Sequence, residues 1–320
     1  MQRRTFITAA AAASVAGTSW AQGADGALRW VVPYPAGGGT DVLARAVTEA
    51  MHQSTGQQFM VDNRPGASTN IGAEIVARAK PDGLTVMSAD NALLAYNEHL
   101  FRKLPFNPEK DFTYIGGIAS MTLALVVHPG FEAKTAQEFI SFVRAHPGQV
   151  NYASPGNGSP HHMAMEMFKS RTKTFITHIP YRGAAPAMQD LMGGQVQCMF
   201  LDLAAGLPMI SGGKVRALAL AAPQRAPNLP NVPTLREVGV ADAEVYAIQG
   251  MLAPAGLPPA MVARLNAELN KALASAPVKA RMADFGMESL AGTPESFVRL
   301  ARAESVRWGK LIKDVGIHLD

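Results

Sequence analysis

Cysteine, long apolar runs and blocks of like charge are all scarce in this chain of 320 residues. The single cysteine, Cys198, has no partner for an intramolecular disulfide, and we expect it to be a buried thiol. Beyond the N-terminal leader, no apolar run approaches the roughly 20 residues of a membrane-spanning helix. The formal charge of +4 is too small for a nucleic-acid-binding protein, and no basic patch is visible. The sequence therefore predicts a soluble protein with a small-molecule partner, no nucleic acid and a monomeric state.

Motifs for catalysis and metal binding are scarce as well. The residue types of a catalytic triad are present in Ser154 and Ser159, Asp202, and the histidines His161, His162 and His178, but neither serine lies in Gly-x-Ser-x-Gly. His161 and His162 are adjacent, so on a helix they would point about 100° apart and could not hold one metal ion. We expect no catalytic residues, no cofactor and no metal, with an exported hydrolase or lyase as the enzymatic alternative.

The N-terminus has the three parts of a signal peptide. Arg3 and Arg4 precede an apolar run over residues 6–16, and Ser19-Trp20-Ala21 provides a small-residue cleavage site. We predict that residues 1–21 are removed on export to the periplasm. The paired arginines are compatible with the Tat route and with the Sec route.

Strand and helix patterns alternate through most of the chain. About 300 remaining residues exceed the size at which a single core usually stops growing, which favours two lobes. The alternation of short apolar runs with helical patterns predicts an α/β fold with parallel sheets. Two amphipathic helices are expected after Pro258, the second one beginning at Thr293-Pro294.

Two glycine-rich loops follow predicted strands and lead into predicted helices. The first is Pro33-Tyr34-Pro35-Ala36-Gly37-Gly38-Gly39-Thr40-Asp41, and the second runs from Asn151 to His162 with Ser159 as helix cap and Pro160 in the first turn. Free amide groups and the helix dipole favour an anion at such a turn. We predict that the two turns form two walls of one cleft, which would hold a carboxylate without an arginine.

Several motifs, in this order along nearly the whole chain, resemble the Bug family. Beside the first loop, they are Val61-Asp62-Asn63-Arg64-Pro65-Gly66-Ala67-Ser68, Asn70-Ile71-Gly72-Ala73, Pro81-Asp82-Gly83-Leu84-Thr85, Tyr152 to Gly158, His178-Ile179-Pro180-Tyr181-Arg182-Gly183 and Gly213-Lys214-Val215-Arg216-Ala217-Leu218-Ala219. Members of the Bug family are periplasmic receptors similar to the substrate-binding component of tripartite tricarboxylate transporters.

The resemblance implies a type II periplasmic-binding-protein fold, with two α/β lobes, a ligand cleft and two interlobe crossovers. We expect residues 22–124 plus 223–320 in lobe 1 and residues 125–222 in lobe 2. The positions that match the family's carboxylate-binding loops are Tyr34, Ala36, Gly37, Gly38 and Thr40 in the first loop and Ser154, Gly156, Gly158 and Ser159 in the second. Further expected pocket or rim residues are Ser68, Asn91, Tyr181, Gly183 and Asp202.

The function that this resemblance implies is capture of a small carboxylate, such as an amino acid, a dicarboxylate, an aromatic acid or a citrate-like acid. Membrane permease subunits would be the partners. A sensor that reports the ligand to a membrane signalling protein is the alternative within the same binding chemistry.

Overall fold

The computed structural model describes residues 26–319, so the predicted signal peptide lies outside the described residues. The strands of the described part are β1 (Leu28–Val32), β2 (Phe59–Asn63), β3 (Thr85–Asp90), β4 (Phe112–Val127), β5 (Asn151–Ser154), β6 (Thr177–Pro180), β7 (Cys198–Asp202), β8 (Arg216–Leu220), β9 (Tyr246–Pro254) and β10 (Met287–Ser289). Its helices are α1 (Gly39–Thr55), α2 (Asn70–Ala77), α3 (Asn97–Leu100), α4 (Ala136–Ala145), α5 (Pro160–Thr172), α6 (Ala184–Met192), α7 (Leu203–Ser211), α8 (Pro259–Ala274), α9 (Ala276–Asp284) and α10 (Pro294–Val315). A π-helical turn, Ala92–Tyr96, precedes α3.

Local sequence signals explain where several helices begin and end. Thr135 and Glu138 form a reciprocal capping box at the start of α4. Thr293 caps α10 and Pro294 occupies its first turn, which confirms the predicted start of this helix. At its other end, Gly316 takes a left-handed conformation with φ 71°, which glycine adopts without steric cost.

The sheet of lobe 1 follows the strand order β2-β1-β3-β9-β4. Strand β1 pairs in parallel with β2 and with β3, whereas β9 runs antiparallel to both β3 and β4. Parallel neighbours bring the carboxyl ends of β1, β2 and β3 to one edge, where α/β proteins bind ligands.

The sheet of lobe 2 has the same pattern, in the order β6-β5-β7-β4-β8. Strand β5 pairs in parallel with β6 and with β7, and β4 runs antiparallel to both β7 and β8. Each lobe therefore contains three parallel strands, one antiparallel strand contributed by a crossover, and one further strand, and in lobe 1 the short strand β10 also pairs with β4. This is the two-lobe α/β architecture of periplasmic binding proteins.

The first crossover lies within one strand. Residues of β4 up to Thr122 pair with β9, and residues from Leu123 onward pair with β7. The chain comes back over residues 221–245: Val245 N donates to Ala221 O at 2.8 Å, and Thr234 forms an isolated parallel bridge with Leu220 of β8. On these contacts we propose lobe boundaries at Thr122/Leu123 and close to Val245, in place of those expected at 124 and 223.

The core extends through both lobes. Trp308 of α10 packs edge-on against Tyr96, with ring centroids 4.8 Å apart, and both side chains are fully buried. Phe139 and Phe168 of lobe 2 belong to the same buried cluster. Helix α10 thus belongs to a buried core that includes residues of both lobes. None of the helices between residues 26 and 319 has the length and apolar character needed to cross a bilayer.

Candidate functional site

A cavity of about 180 Å³ lies between the two lobes at the carboxyl ends of their strands. We call it the helix-end cavity, because the starts of α1, α5, α6 and α7 line it. Its lining residues are Tyr34, Pro35, Ala36, Gly37, Gly38, Gly39, Thr40, Asp90, Met121, Pro155, Pro160, His161, Arg182, Gly183, Ala184, Ala185, Pro186, Met188, Asp202, Ala205, Ala247 and Gln249. Pockets for drug-sized ligands span roughly 300–1,000 Å³, so this cavity fits a smaller molecule.

Helix α1 begins at the cavity without a side-chain cap. Its N-cap residue is Gly38, and no side chain accepts a hydrogen bond from the first turn there. Asp41 instead accepts from Gly37 N at 2.9 Å, which orders the loop before the helix. The first amide groups of a helix have no partners within the helix. Those of Gly39 and Thr40 therefore remain available to an anion in the cavity, which the helix dipole also favours.

Helix α6 begins on the opposite wall, and it also has no side-chain cap. Its N-cap is Gly183, with φ 116°, and Ala184 and Ala185 follow on the cavity wall. A Cβ atom at position 183 would lie 3.3 Å from Cγ of Pro35 in the other lobe. Glycine therefore serves both the backbone conformation and the close approach of the two lobes.

Helix α5, which follows the second predicted loop, is capped by its own residues. Ser159 Oγ accepts from His162 N at 3.3 Å, and Gly158 N donates to His162 Nδ1 at 3.0 Å. These bonds occupy groups that the sequence suggested for a ligand. The α5 start therefore offers fewer free donors than the starts of α1 and α6.

A buried carboxylate from lobe 1, that of Asp90, also lines the cavity. Asp90 Oδ2 accepts from Tyr34 OH at 2.6 Å, and Oδ1 accepts from Ala92 N at 3.1 Å. Burial raises the pKa of Asp90, although its hydrogen bonds and the charge of His161 act in the opposite direction. The pKa of the Tyr34 hydroxyl is also raised, first by burial and then by the charge of Asp90.

Lobe 2 contributes a carboxylate of its own, Asp202, at the end of β7. Asp202 Oδ1 accepts from Ala205 N at 2.9 Å and so caps α7, while Oδ2 lies 3.2 Å from His161 Nε2. Burial acts to raise the pKa of Asp202, but the hydrogen bond and charge of His161, together with the Ala205 amide, lower it overall. The other ring nitrogen of His161, Nδ1, is buried and has no partner.

A second cavity of about 610 Å³ adjoins the first one and shares Tyr34, Pro35, Pro155, Arg182 and Gly183 with it. We call it the side cavity; it lies between the turn at residues 65–69 and the loop at residues 155–159. Ser68 Oγ donates to Asn157 O at 2.7 Å, which links the two lobes directly. Residues 67–69 all have positive φ although none of them is glycine, so the turn that carries this bond is strained.

The predicted site residues separate into three groups in the structure. Tyr34, Ala36, Gly37, Gly38, Thr40, Gly183 and Asp202 line the helix-end cavity. Ser68, Gly156, Ser159 and Tyr181 line the side cavity. Asn91, Ser154 and Gly158 line neither of the two cavities.

The three residues of the last group have partners within the protein. Asn91 Oδ1 accepts from Ile248 N at 2.7 Å and ties β3 to β9. Ser154 Oγ is bonded to Gly156 O and to His178 Nε2, at 3.1 and 2.7 Å. Gly158 faces lobe 1, since a Cβ atom there would lie 3.1 Å from Leu319 and 3.2 Å from Leu100. Contact of these three residues with a ligand stays a prediction.

Sequence reasoning missed two buried residues of the cavity wall, Asp90 and Gln249. They lie opposite each other in the β3–β9 ladder, although 159 positions separate them in the chain. Gln249 Nε2 donates to Thr40 Oγ1 at 2.7 Å. The position of Asp90 at a strand end was an available signal, and it is the same signal that pointed to Asp202. Gln249 carried no such signal, because β9 reaches the site only through the crossover.

The serine–histidine contact found here does not form an exposed nucleophile. Ser154 is fully buried and lines neither cavity, so its hydroxyl has no access to a ligand. Within residues 26–319, no group of three or more His, Cys, Asp and Glu side chains is arranged to hold a metal ion.

Known proteins similar to this chain point to one family. Residues 43–317 match the family described as tripartite tricarboxylate transporter family receptor. The Bordetella pertussis protein BugT is 32% identical over 293 residues, which cover 91% of this chain and 90% of BugT.

Two similar solved structures contain carboxylates. An R. palustris protein solved with adipate is 34% identical with a TM-score of 0.88, and the match covers 91% of this chain and 98% of that one. MatC from Rhodopseudomonas palustris, solved with bound malate, is 34% identical with a TM-score of 0.85, and the match covers 89% and 98%. Fold and sequence agree, and the chain belongs to the tripartite tricarboxylate transporter receptor family, which includes the Bug proteins.

Proposed function

We propose that this protein is a periplasmic solute-binding protein that captures a small carboxylate between its two lobes and delivers it to membrane permease subunits. The observation that carries the proposal is the pair of uncapped helix starts, α1 from lobe 1 and α6 from lobe 2, which line one cavity. Bound adipate and malate in two similar structures support a carboxylate as the ligand class.

The physical basis of capture is a set of hydrogen bonds to carboxylate oxygens. Each such bond to a charged group contributes roughly 1.5–3 kcal/mol, so a few of them reach micromolar affinity after the ordering cost. Arg182, on the shared wall of both cavities, is the permanently cationic residue among the described lining residues. The helix starts and Arg182 therefore both attract an anion that has entered the cleft.

Closure of the lobes gives the transporter a surface to recognise. Ser68 to Asn157, Pro35 against Gly183, and Leu100 against Gly158 are contacts that form only when the lobes are together. A ligand that bridges α1 and α6 shifts the population toward this closed form. We propose that the permease subunits bind the closed form preferentially.

A matched pair of glycine variants tests the binding site. Gly38→Val places a side chain on the cavity wall at a position with φ −80°, where the backbone accepts valine. Gly26→Val is the control, since residue 26 is exposed and lies outside both cavities. Mass spectrometry of the ligand released from purified protein identifies the acid for calorimetric titration. We expect Gly38→Val to lose binding at least a hundredfold, and Gly26→Val to bind as the unmodified protein does.

The purified protein and its identified ligand also distinguish a transport receptor from an enzyme and from a sensor. Turnover of the identified acid by the purified protein would favour an enzyme, and equal affinity of Gly38→Val and Gly26→Val would overturn the proposed site. Uptake of the labelled acid by cells that lack the gene separates transport from sensing, because a sensor leaves uptake intact when its signalling output is supplied by other means.

A further inference from the structure

Two buried aspartates, Asp90 and Asp202, line the cavity that is expected to hold an anion. The cavity has a volume of only about 180 Å³, so a ligand carboxylate inside it lies close to both of them. Like charges that share a buried site oppose ionisation of all the groups together, and one of the carboxyl groups then holds a proton. Capture of a carboxylate therefore raises the question of which aspartate stays charged.

Asp202 has favourable partners within lobe 2. His161 Nε2 lies 3.2 Å from Asp202 Oδ2, and Ala205 N, in the first turn of α7, donates to Oδ1 at 2.9 Å. A histidine partner and a helix start both favour the charged form of a carboxyl group. The pKa of Asp202 is lowered by these contacts despite its burial, so this residue stays ionised when the lobes close.

Asp90 is less well matched to a negative charge. Its hydrogen-bond partners, Tyr34 OH and Ala92 N at 2.6 and 3.1 Å, are neutral donors. The residue is 4% exposed, and burial is the main cause that raises its pKa. The permanently cationic residue among the described lining residues, Arg182, is exposed, so water screens its charge. Asp90 is therefore the aspartate whose charge the closed form favours least.

The ionisable residues around Asp90 leave its charge unpaired. Tyr96, in the π-helical turn after β3, stays neutral because burial raises its pKa. The charged residues of the surrounding elements are bound to partners of their own: Arg29 to Asp62 on β1 and β2, Asp41 to Arg45 on α1, Arg78 to Glu74 on α2, Arg307 to Glu304 on α10, and His161 to Asp202 across the cavity. None of these residues is free to neutralise Asp90.

Gln249 supplies an acceptor for a proton on Asp90. The two residues are directly opposite each other in the antiparallel pair of β3 and β9, so their side chains leave the same face of the sheet. Gln249 is 1% exposed, and its Nε2 donates to Thr40 Oγ1 at 2.7 Å. Its Oε1 has no hydrogen-bond partner among residues 26–319. A carboxylic acid, unlike a carboxylate, has an O–H group that can donate to this oxygen.

Resting on the proposed capture of a carboxylate, we infer that Asp90 takes up one proton from the solvent when the lobes close on the ligand, and that the neutral acid donates a hydrogen bond to Gln249 Oε1. In the open form the cavity wall faces water, which stabilises the charge of Asp90. Closure removes this water and adds a second carboxylate, and both changes favour the protonated form. The protein thus captures its ligand together with a proton.

This coupling has a defined sign. Ligand binding raises the pKa of Asp90, so the complex holds more protons than the free protein between the two pKa values. Affinity is then highest at low pH and decreases as the pH rises through this window, by about tenfold per pH unit where one full proton is taken up.

Calorimetric titration measures the proton directly. The acid released from the purified protein, together with malate and adipate as probes, is titrated at one pH in phosphate and in Tris, because an absorbed proton adds the ionisation heat of the buffer. We expect uptake of about one proton per ligand near pH 7, and an affinity at least tenfold lower at about pH 8.5 than at about pH 6.5. The carboxyl groups of the probes are ionised throughout this range.

Asp90→Asn connects the proton to this residue. Asparagine has nearly the shape of the neutral acid and can donate to Gln249 without taking up a proton. The variant should bind the same acid without proton uptake, and its affinity should change less than threefold over the same pH range. Asp284→Asn, a change at an exposed site at the end of α9, should keep the proton uptake and the pH dependence of the unmodified protein.

Infrared spectroscopy of the unmodified protein keeps the test independent of the folding of Asp90→Asn. Protein labelled with ¹³C-aspartate should gain a carboxylic-acid C=O band in the spectrum of the complex minus that of the free protein, and the label should shift this band. Unlabelled ligand cannot produce the isotope shift, so the band reports an aspartate of the protein.

Each result decides a different point. Binding without proton uptake, uptake without the labelled acid band, or equal uptake in Asp90→Asn overturns the assignment of the proton to Asp90 while capture of a carboxylate stands. Failure of the released acid, malate and adipate all to bind the unmodified protein counts against the proposed function itself.

Discussion

The two lobes share one strand pattern but use it differently at the cleft. Strands β3 and β7 occupy equivalent places in the two sheets, and each ends in an aspartate that lines the cavity, Asp90 and Asp202. Tyr34, a neutral donor, bonds the first aspartate, whereas His161 bonds the second. Burial accordingly raises the pKa of Asp90, whereas the contacts of His161 and the Ala205 amide outweigh burial and lower that of Asp202.

The helix starts at the cleft also differ between the two lobes. After the first parallel strand of lobe 1, β1, helix α1 begins uncapped at the cavity, but after the first parallel strand of lobe 2, β5, helix α5 is capped by Ser159. In lobe 2, the uncapped helix start at the cavity is that of the next helix, α6. Equivalent topology therefore does not imply equivalent chemistry, because capping decides which helix start keeps free amide groups for a ligand.

The largest effect that this comparison predicts is at the α6 start. Ala185 is exposed on the cavity wall in the first turn, so Ala185→Asp adds a negative charge to the cavity that is expected to hold the anionic ligand. The same charge favours the helix through its dipole, so stability should not fall. We expect calorimetry to give about a thousandfold loss of ligand affinity, or about 4 kcal/mol.

Ala185→Asn is the matched control, since it has nearly the same shape without the charge, and it should lose less than tenfold. Equal losses in the two variants would mean that the effect is steric, and that α6 does not contribute to anion binding.

The two lobes should differ in how their stability depends on acid pH. Behind the α5 start, the rings of Tyr152, His178 and His162 are stacked, with centroid distances of 4.5 and 4.2 Å. Burial is the main cause that lowers the pKa of His162 to about 4 and that of His178 to about 3. In the unfolded chain these histidines bind protons near pH 6.5, so the unfolded state gains protons first as the pH falls.

The stability of lobe 2 should therefore decrease between about pH 6.5 and pH 3, with a loss of about 2 kcal/mol from each histidine, or about 4 kcal/mol in all, by pH 5. Urea unfolding at several pH values measures this loss of stability, and hydrogen exchange of each lobe shows whether it occurs in lobe 2. His178→Asn should flatten the dependence. An equal slope in this variant would show that other groups control acid unfolding.

A smaller effect is expected for the cap of α5. Ser159→Ala removes the oxygen that accepts from His162 N, which should cost about 1 kcal/mol of stability. Thermal unfolding measures this loss, and affinity for the ligand should change less than threefold. A large loss of affinity at unchanged stability would instead support the sequence-based prediction that Ser159 contacts the ligand.

The smallest effect is expected for the bond between the lobes. Ser68→Ala removes the donor to Asn157 O, which contributes roughly 1 kcal/mol to closure. We expect a severalfold faster dissociation of the ligand with a nearly constant association rate, measured by stopped-flow fluorescence. A change confined to the association rate would place the contribution of Ser68 in the open form.

Local patterns in the sequence predicted much of the fold and part of the site. The alternation of strands and helices, the first glycine-rich loop and the strand-end position of Asp202 all follow from short segments that signal their own structure. The start of α6 has Gly183 but no run of glycines, so no sequence motif marks it as an anion site. We assign it that role because the structure leaves α6 uncapped while α5 is capped. Gln249 depends on the pairing of β9 with β3, a contact between distant segments that no local pattern records.

The second loop shows a different limit of sequence reasoning. Its residues resemble those of the first loop, yet Ser159 and Gly158 are bonded to His162 within their own helix turn. Whether such a turn binds a ligand or is capped by its own side chains depends on the residue at position 162, in the first turn of α5. The composition of the loop alone does not decide it.

A crystal structure of the protein with its identified ligand tests the central claim most directly. The account predicts carboxylate oxygens within about 3 Å of the first amide groups of α1, with the remainder of the ligand reaching the start of α6. A ligand whose carboxylate lies at residues 155–159, or outside the space between the lobes, would contradict it.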